Sequence, residues 1–365
     1  MSSPRVPFGS PAPREDAAAV RAAIERVVAS GWYVLGPEVT AFEAEFATAC
    51  GARHAVGVGT GTDAIALILR GLGIGPGDEV ITTPLSAAYT ALVVMMAGAT
   101  PVFADIDPER LTLSPASVAA AITARTKAIL PVHLYGQAAD MRALEEVAAR
   151  HGVAIVEDAC QAHLATTDGR PVGTVGVAGA FSFYPTKNLG ALGDGGAIVT
   201  NDESLATKLR RLRNGGQTSR YHHQEPGINS RLDEMQAAIL RARLPFLRAW
   251  TGRRRELARQ YRVELAAAPV TLLREFDAGH VYHLFVVRTR ARQRLQAHLT
   301  QEGIETLVHY PVPIPRQPAL ASLHPADCPE ANRACDEVVS LPLHPGLATA
   351  DVTTVASAIC RFHED

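Results

Sequence analysis

One lysine stands between an aromatic run and a glycine-rich run in the segment FSFYPTKNLGALGDGGAIVTND, residues 181–202. Most lysines are solvated surface amines, and residue type alone favours that interpretation of Lys187. Burial among Phe181, Phe183 and Tyr184 would lower the pKa of the amine and favour its neutral form, which condenses with aldehydes to form imines. Lys187 is therefore a candidate Schiff-base residue that needs partners elsewhere in the chain.

Three further segments contain residue types that could bind a ligand. VGVGTGTDA lets Gly61 and Thr62 approach an anion at a helix start, although a plain strand-to-helix turn explains the glycines equally well. VEDACQAH ends a strand pattern with Asp158 and places Gln161 beyond it, where acidic residues more often serve as helix caps or in salt bridges. GINSRLDEMQAA places Asn229 before a helix, and a capped helix start would look the same.

A phosphate cradle, an aspartate at a strand end and a partly buried lysine together fit one cofactor, pyridoxal 5'-phosphate. Lys187 would hold the aldehyde as an imine and move a proton between the donor's alpha carbon and the cofactor. Asp158 would lie against the pyridine nitrogen and keep it protonated. Opposite charges about 3 to 4 Å apart attract by about 4 kcal/mol at an effective dielectric constant of about 20, before the cost of desolvation.

The elements that must position these residues alternate along the first half of the chain. After an N-terminal helix over about residues 14–30, the strands HAVGV, EVITT, TPVFADI, KAILPVHL and VAIVEDA are separated by helix patterns. This alternation predicts an α/β fold with a mainly parallel sheet flanked by helices, which binds ligands at the carboxyl ends of its strands. The later helix pattern is interrupted by Pro245 and is followed by the strand-like HVYHLFVVRT and the helix-like RQRLQAHLTQEG. We therefore expect a large cofactor-binding domain over 1–246 and a small α+β domain over 247–365.

Composition limits the classes of partner. The 365 residues carry a net charge of −2, which gives no basic field for nucleic acid and indicates a small-molecule partner. No apolar stretch reaches the roughly 20 residues of a membrane span, and no secretory signal is evident, so we expect a cytoplasmic protein without membrane contact. The five cysteines include no C-x-x-C pair, so neither a metal site nor a disulfide framework is expected.

In its motifs, nearly the whole chain resembles the DegT/StrS-type aminotransferases, fold type I enzymes that use pyridoxal phosphate to place amino groups on nucleotide-linked keto sugars. The likeness runs from SGWYVLGPEVTAFEAEFA through VEDACQAH, FSFYPTKNLGALGDGGAIVT and GINSRLDEMQAAIL to HYPVP and EVVSLPLHPGL. The resemblance implies that Lys187 forms the imine with the cofactor. It also implies that Asp158 contacts the pyridine nitrogen and that Gln161 lies near the ring hydroxyl.

The same resemblance implies how the cofactor's phosphate is bound. Matching positions are Gly61, Thr62 and Ser182, while Asn229 would reach the phosphate from a neighbouring subunit. A homodimer with two shared active sites follows from that last contact.

Two positions depart from the family pattern. Ala87 stands where the family usually has an aromatic residue that stacks on the cofactor ring, and Tyr89 is an alternative candidate for that contact. Pro315 replaces a histidine that is common in the family, which leaves His309 and Tyr310 as candidate contacts to the sugar.

The implied activity is transfer of an amino group from L-glutamate to a nucleotide-linked keto sugar in two half-reactions. The family's sugar dehydratases carry a histidine in place of the lysine, so Lys187 argues against that activity. A non-catalytic or regulatory protein on the same scaffold is a third interpretation, because fold alone does not decide function. Ser230, where some relatives have tyrosine, favours amination at C3 of a 6-deoxy hexose over C4.

Overall fold

The computed structural model describes residues 4–9, 14–323 and 325–363. Its α-helices are α1 (Ala17–Ser30), α2 (Pro37–Cys50), α3 (Gly61–Gly71), α4 (Tyr89–Met96), α5 (Pro115–Ala121), α6 (Met141–His151), α7 (Glu203–Leu212), α8 (Glu234–Arg243), α9 (Leu247–Glu264), α10 (Arg292–Gln301), α11 (Pro329–Glu337) and α12 (Thr349–Cys360). Its strands are β1 (His54–Val58), β2 (Glu79–Thr82), β3 (Thr100–Phe103), β4 (Thr126–Leu130), β5 (Ala154–Asp158), β6 (Thr166–Thr167), β7 (Arg170–Pro171), β8 (Ala178–Ser182), β9 (Gly196–Thr200), β10 (Gln217–Ser219), β11 (His222–His223), β12 (Thr271–Leu272), β13 (Phe285–Arg288) and β14 (Val338–Leu341).

A seven-stranded sheet with the order β1-β9-β8-β5-β4-β2-β3 forms the centre of the larger part of the molecule. Strands β3, β2, β4, β5 and β8 pair in parallel, whereas β9 runs antiparallel to β1 and β8. Parallel neighbours need a long crossover, usually a helix, whereas antiparallel neighbours can be joined by a loop. The predicted mainly parallel sheet is confirmed, and the β8–β9 connection at residues 183–195 is a loop that contains Lys187.

Helices cover both faces of this sheet because successive strand residues point to opposite sides. In β8, Ala180 packs in the cluster that contains α3, whereas Phe181 packs in the cluster that contains α2. Phe46 meets the rings of Phe181 and Phe183 edge-on, with centroids 5.2 Å apart in each pair. Each buried phenylalanine stabilises the fold by about 1.5 to 3 kcal/mol, so the strand that leads into the lysine loop is firmly anchored.

A second sheet, in the order β12-β13-β14, is antiparallel and lies near the C-terminal end of the chain. Helix α9 joins the two parts, since Leu247 packs in the core of the large sheet and Tyr261 in the core of the small one. Its start coincides with the predicted domain boundary at 246/247, which remains a prediction. Val6 pairs with Ile304 and packs in the small core, so the N-terminal segment also crosses to this part.

Residues 114–125 have a helix pattern, but α5 covers only Pro115–Ala121. It ends at Ala121, because Ile122 is extended and Thr123 forms a turn, in which its backbone N–H donates to the Thr126 hydroxyl at 3.0 Å. Across the described ranges, no helix is both long and apolar enough to cross a membrane.

Candidate active site

The two acidic residues at the end of β5 have different surroundings. Glu157 is fully buried and accepts hydrogen bonds from three backbone N–H groups of the loop at 173–176, at 2.7 to 2.8 Å. The Nδ1 atom of His133 accepts a hydrogen bond from a backbone N–H, so the proton of the neutral ring is on Nε2. Nε2 donates to Glu157 at 3.0 Å. Glu157 therefore holds a loop in place, and Asp158 is the carboxylate that remains for the site.

Asp158 is held rigidly by two donors from different elements. Its Oδ2 accepts from the Thr90 hydroxyl in the first turn of α4, and its Oδ1 accepts from the backbone N–H of Cys160, each at 3.1 Å. The carboxylate is only 5% exposed, so its charge acts in a low-dielectric setting. Such a fixed negative charge at the carboxyl end of a strand suits the protonated nitrogen of a pyridine ring.

Lys187 lies in the loop after β8, where its backbone N–H closes a turn onto the carbonyl of Tyr184 at 2.8 Å. Burial lowers the pKa of its amine, and the negative charge of Asp158 acts in the opposite sense. The direction agrees with the sequence argument, but the surroundings differ, since Phe181 and Phe183 point into the core and Tyr184 is exposed. Lys187 instead lines a cavity of about 370 Å³, together with residues of α9 and of the segment at 343–346.

The start of α3 forms an anion cradle against the end of β8. Thr60 is the N-cap, and its hydroxyl accepts from the N–H of Asp63 at 3.0 Å, which leaves the first two helical N–H groups available. A Cβ on Gly61 would approach the side-chain atoms of Cys160 and Ser182 to 2.8 Å, so only glycine fits this position without displacement. The residues predicted to bind phosphate, at the start of α3 and at the end of β8, therefore lie next to each other.

Gln161 connects the predicted cofactor residues to the predicted sugar residues. Its Oε1 accepts from the backbone N–H of Tyr135 at 2.8 Å, and its Nε2 donates to the hydroxyl of Tyr310 at 3.0 Å. His309 is half-buried, its Nδ1 is 2.9 Å from the Ser340 hydroxyl, and it lines the same cavity as Lys187. Burial, with the charge of Lys187, lowers the pKa of His309 to about 4, so its ring is neutral near pH 7.

His163 supports the site from within the core. Its Nε2 is 2.8 Å from the carbonyl oxygen of Ser182 and must carry the proton, because a carbonyl only accepts. Burial, with the charge of Lys187, lowers the pKa of His163 to about 3. The neutral ring thus positions the end of β8, and the structure gives it no direct contact with the site cavity.

Asn229 and Ser230 are neighbours in sequence but differ in burial. The Ser230 hydroxyl accepts from the N–H of Gly59 at 2.9 Å and donates to Asp63 at 2.7 Å, which ties this segment to the anion cradle. Asn229 is exposed, as a contact to a neighbouring subunit requires. The Ser230 side chain is buried and forms both of these hydrogen bonds. Packing within this chain therefore explains why serine, and not tyrosine, occupies this position.

Tyr89, the predicted ring-stacking residue, is 65% exposed at the first residue of α4. Its neighbour Thr90 is the residue that contacts Asp158, and consecutive helical side chains point in different directions. Stacking by Tyr89 therefore remains a prediction. Sequence reasoning missed both Thr90 and Tyr135. The available signal for Thr90 was a polar residue in the first turn of a helix that is otherwise rich in apolar residues.

These contacts fit pyridoxal phosphate at the carboxyl end of the sheet. The anion cradle at Gly61, the carboxylate of Asp158 and the amine of Lys187 are the donor set that its phosphate, ring nitrogen and aldehyde require. Fold and site together define the class, an aminotransferase-like protein built around a lysine on the β8–β9 loop.

The chain belongs to the DegT/DnrJ/EryC1/StrS aminotransferase family, whose model matches residues 14–360. Family members use pyridoxal phosphate, and a related structure from Bacillus subtilis (NtdA) contains the bound cofactor PMP. That structure is 30% identical, with a TM-score of 0.90, and the match covers 98% of this chain and 86% of that one.

Two curated relatives illustrate the range of names within the family. A Streptomyces venezuelae protein named dTDP-3-amino-3,4,6-trideoxy-alpha-D-glucose transaminase is 50% identical over 99% of this chain and 97% of its own length. The erythromycin biosynthesis sensory transduction protein EryC1 of Saccharopolyspora erythraea is 51% identical over 89% of this chain and 90% of its own. The crystal structure of S. venezuelae DesV in complex with a ketimine intermediate superposes with a TM-score of 0.97, at 50% identity and full coverage of both chains.

Proposed function

We propose that this enzyme transfers an amino group from L-glutamate to C3 of a nucleotide-linked keto-6-deoxy sugar. The observation that carries the proposal is Lys187, whose amine has a pKa lowered by burial and which lines a cavity together with His309. The name of the 50% identical relative, a dTDP-3-amino sugar transaminase, supports the acceptor class and the position of amination.

Bound pyridoxal phosphate supplies an aldehyde that takes up the amino group and a ring that withdraws electrons from the donor's alpha carbon. We assign its phosphate to the helix N-terminus at Gly61 and Thr62 and to the hydroxyl of Ser182. Asp158 would contact the ring nitrogen, and its two hydrogen bonds keep the carboxylate in position for that contact.

Lys187 both holds the cofactor and moves the proton. Burial lowers the pKa of Nζ and so favours the neutral amine, which is the form that accepts a proton from the donor's alpha carbon. Gln161 orients Tyr310 toward the acceptor side through the 3.0 Å bond to its hydroxyl. His309 and Tyr310 then contact the sugar, as the family resemblance implies.

The proposed acceptor is tested by incubating the enzyme with L-glutamate and either a dTDP-linked 3-keto-6-deoxy sugar or its 4-keto isomer. Mass spectrometry should detect an amino sugar from the 3-keto substrate, and Lys187→Ala should give none. Amination of the 4-keto isomer alone would refute the C3 assignment. Loss of water without amination would instead support the dehydratase alternative.

We also propose that the enzyme is a homodimer in which Asn229 completes the partner's phosphate site. The exposed Asn229 and the exposed apolar run at residues 32–34 support this arrangement. A mixture of Lys187→Ala and Asn229→Ala subunits should recover activity, because a hybrid dimer contains one site with both residues intact. If unfolding and refolding the mixture gave no more activity than either variant alone, the shared site would be refuted.

Location in the cytoplasm remains a prediction.

The regulatory interpretation lacks a feature that would favour it here. A scaffold without catalysis does not need a desolvated lysine opposite a fixed carboxylate, and both are present. The name of the EryC1 relative describes that protein and does not decide the role of this chain.

A further inference from the structure

Arg254, on α9, is a buried cation that lacks a carboxylate partner. Three arginines are buried in the described part of the chain, and two of them form ion pairs, Arg213 with Glu43 and Arg243 with Asp16. Arg254 is 6% exposed and forms no ion pair with any described residue. Buried charges in proteins are normally paired, so the missing partner indicates a ligand.

The hydrogen bonds of Arg254 use only part of its guanidinium. Nη1 donates to the backbone carbonyls of Tyr282, His283 and Leu343, at 3.2, 3.2 and 2.8 Å. Nε is buried and has no partner among the described residues, and the three bonds found for the guanidinium all come from Nη1 and leave Nη2 unused. The edge that carries Nε and Nη2 is the one that binds carboxylates in a bidentate manner.

Arg254 lines the same cavity of about 370 Å³ as Lys187. His344 is a second buried polar residue in this cavity, and its Nε2 has no hydrogen-bond partner in the described structure. Trp250 and His309 line the cavity as well. Two polar side chains with an unsatisfied nitrogen therefore lie in the walls of the cavity that Lys187 also lines.

The other charged residues of the cavity do not neutralise Arg254. Asp16 is paired with Arg243 at 2.7 Å. Arg14, Glu15 and Glu305 are exposed, so solvent screens their charges. Among the described residues that line the cavity, the guanidinium of Arg254 is therefore the buried charge that lacks a counter-charge.

We propose that Arg254 and His344 bind a carboxylate of the amino-acid donor. The proposal rests on the function proposed above, and it assigns the donor to the cavity between the lysine loop, α9 and residues 343–346. Arg254 donates from its free edge, and His344 donates from Nε2 in its neutral form. The donor's amino group then reaches the cofactor beside Lys187.

A small carboxylate fits this cavity better than the diphosphate of the acceptor. The volume of the cavity, about 370 Å³, lies near the lower end of the range of about 300 to 1,000 Å³ for ligand pockets, which suits an amino acid. One guanidinium also balances one carboxylate, whereas a diphosphate carries more charge. The anion cradle at α3 is already assigned to the cofactor's phosphate.

The test compares the holoenzyme with Arg254→Met, His344→Leu and the control Arg248→Met. Arg248 is exposed on the same helix and does not line the cavity, so its replacement changes the net charge equally. Binding of glutarate, an unreactive dicarboxylate, is measured by calorimetry, alongside KM for L-glutamate and Kd for dTDP. Circular dichroism identifies any variant that fails to fold, and His344→Leu leaves the carbonyl bonds of Arg254 in place.

We expect Arg254→Met to weaken glutarate binding and raise KM for L-glutamate by about 10- to 100-fold, with Kd for dTDP unchanged. His344→Leu should weaken glutarate binding by at least about threefold, and the control should bind glutarate as the wild type does. Unchanged glutarate binding in a folded Arg254→Met or His344→Leu variant, or a change confined to dTDP, would overturn the proposal. If the glutarate effects appeared but no keto sugar were aminated, the proposed function would fail while the carboxylate site stood.

Discussion

Replacing Glu157 by glutamine should destabilise the fold while leaving the chemistry intact. Glu157 lies next to Asp158 in sequence, yet its carboxylate accepts four hydrogen bonds away from the site. The substitution keeps the size of the side chain and replaces one acceptor oxygen by an NH₂ group. It therefore tests which of the two carboxylates belongs to the reaction.

The magnitude follows from the number of donors that glutamine cannot satisfy. Each oxygen of Glu157 accepts two bonds, Oε1 from Val175 and Gly176, and Oε2 from Gly173 and His133. Whichever way the amide is oriented, two buried N–H groups face another donor. An unsatisfied buried group costs about 1 to 3 kcal/mol, so Glu157→Gln should lower the free energy of unfolding by about 2 to 6 kcal/mol.

Urea unfolding followed by circular dichroism measures the loss against a matched control, Glu146→Gln. Glu146 has a side chain that is 65% exposed and forms a long 3.7 Å pair with Arg142, so its replacement should change stability by less than about 0.5 kcal/mol. The folded Glu157→Gln enzyme should still convert its cofactor with L-glutamate. A variant as stable as the control but unable to carry out that half-reaction would refute the assignment of the two carboxylates.

Three further predictions concern the site and its surroundings. Thr90→Val removes the 3.1 Å bond to Asp158 and should slow the half-reaction with L-glutamate by about 10-fold or more in stopped-flow absorbance, with partial recovery in Thr90→Ser. Gly61→Ala brings a Cβ to within 2.8 Å of two side chains, and it should weaken pyridoxal phosphate binding by about 5- to 100-fold in an absorbance titration. Burial lowers the pKa of His309 and of His344 to about 4, so the unfolded chain binds more protons than the folded one between about pH 6.5 and 4. The urea midpoint should therefore fall as the pH drops through that window, and His344→Gln should make the fall shallower; a midpoint independent of pH there would contradict both assignments.

Much of the large domain could be predicted from local pattern. The strands β1 and β5 and the helix α6 follow directly from apolar runs and helix stop signals, because their burial is set by residues close in sequence. The position of Lys187 between an aromatic run and a glycine-rich run likewise identified this residue as a candidate for the site.

Contacts between distant segments could not be predicted in this way. Thr90 and Asp158 are 68 positions apart, and only the parallel sheet brings α4 onto the end of β5. The unpaired charge of Arg254 is visible only once burial is known, since its sequence, RRRE, looks like an exposed helix face. The desolvation of Lys187 was predicted in the correct direction, but from aromatic residues that in fact pack in the core, Phe181 and Phe183, or are exposed, Tyr184.

The absorption spectrum of the purified holoenzyme, recorded before and after addition of L-glutamate without any sugar, tests the central claim most directly. Wild type should show the absorption band of lysine-bound pyridoxal phosphate and lose it to the amine form of the cofactor on addition of glutamate. Lys187→Ala should show neither the band nor its conversion. If glutamate left the wild-type band unchanged, or if Lys187→Ala behaved as the wild type does, amino transfer from glutamate through Lys187 would be contradicted.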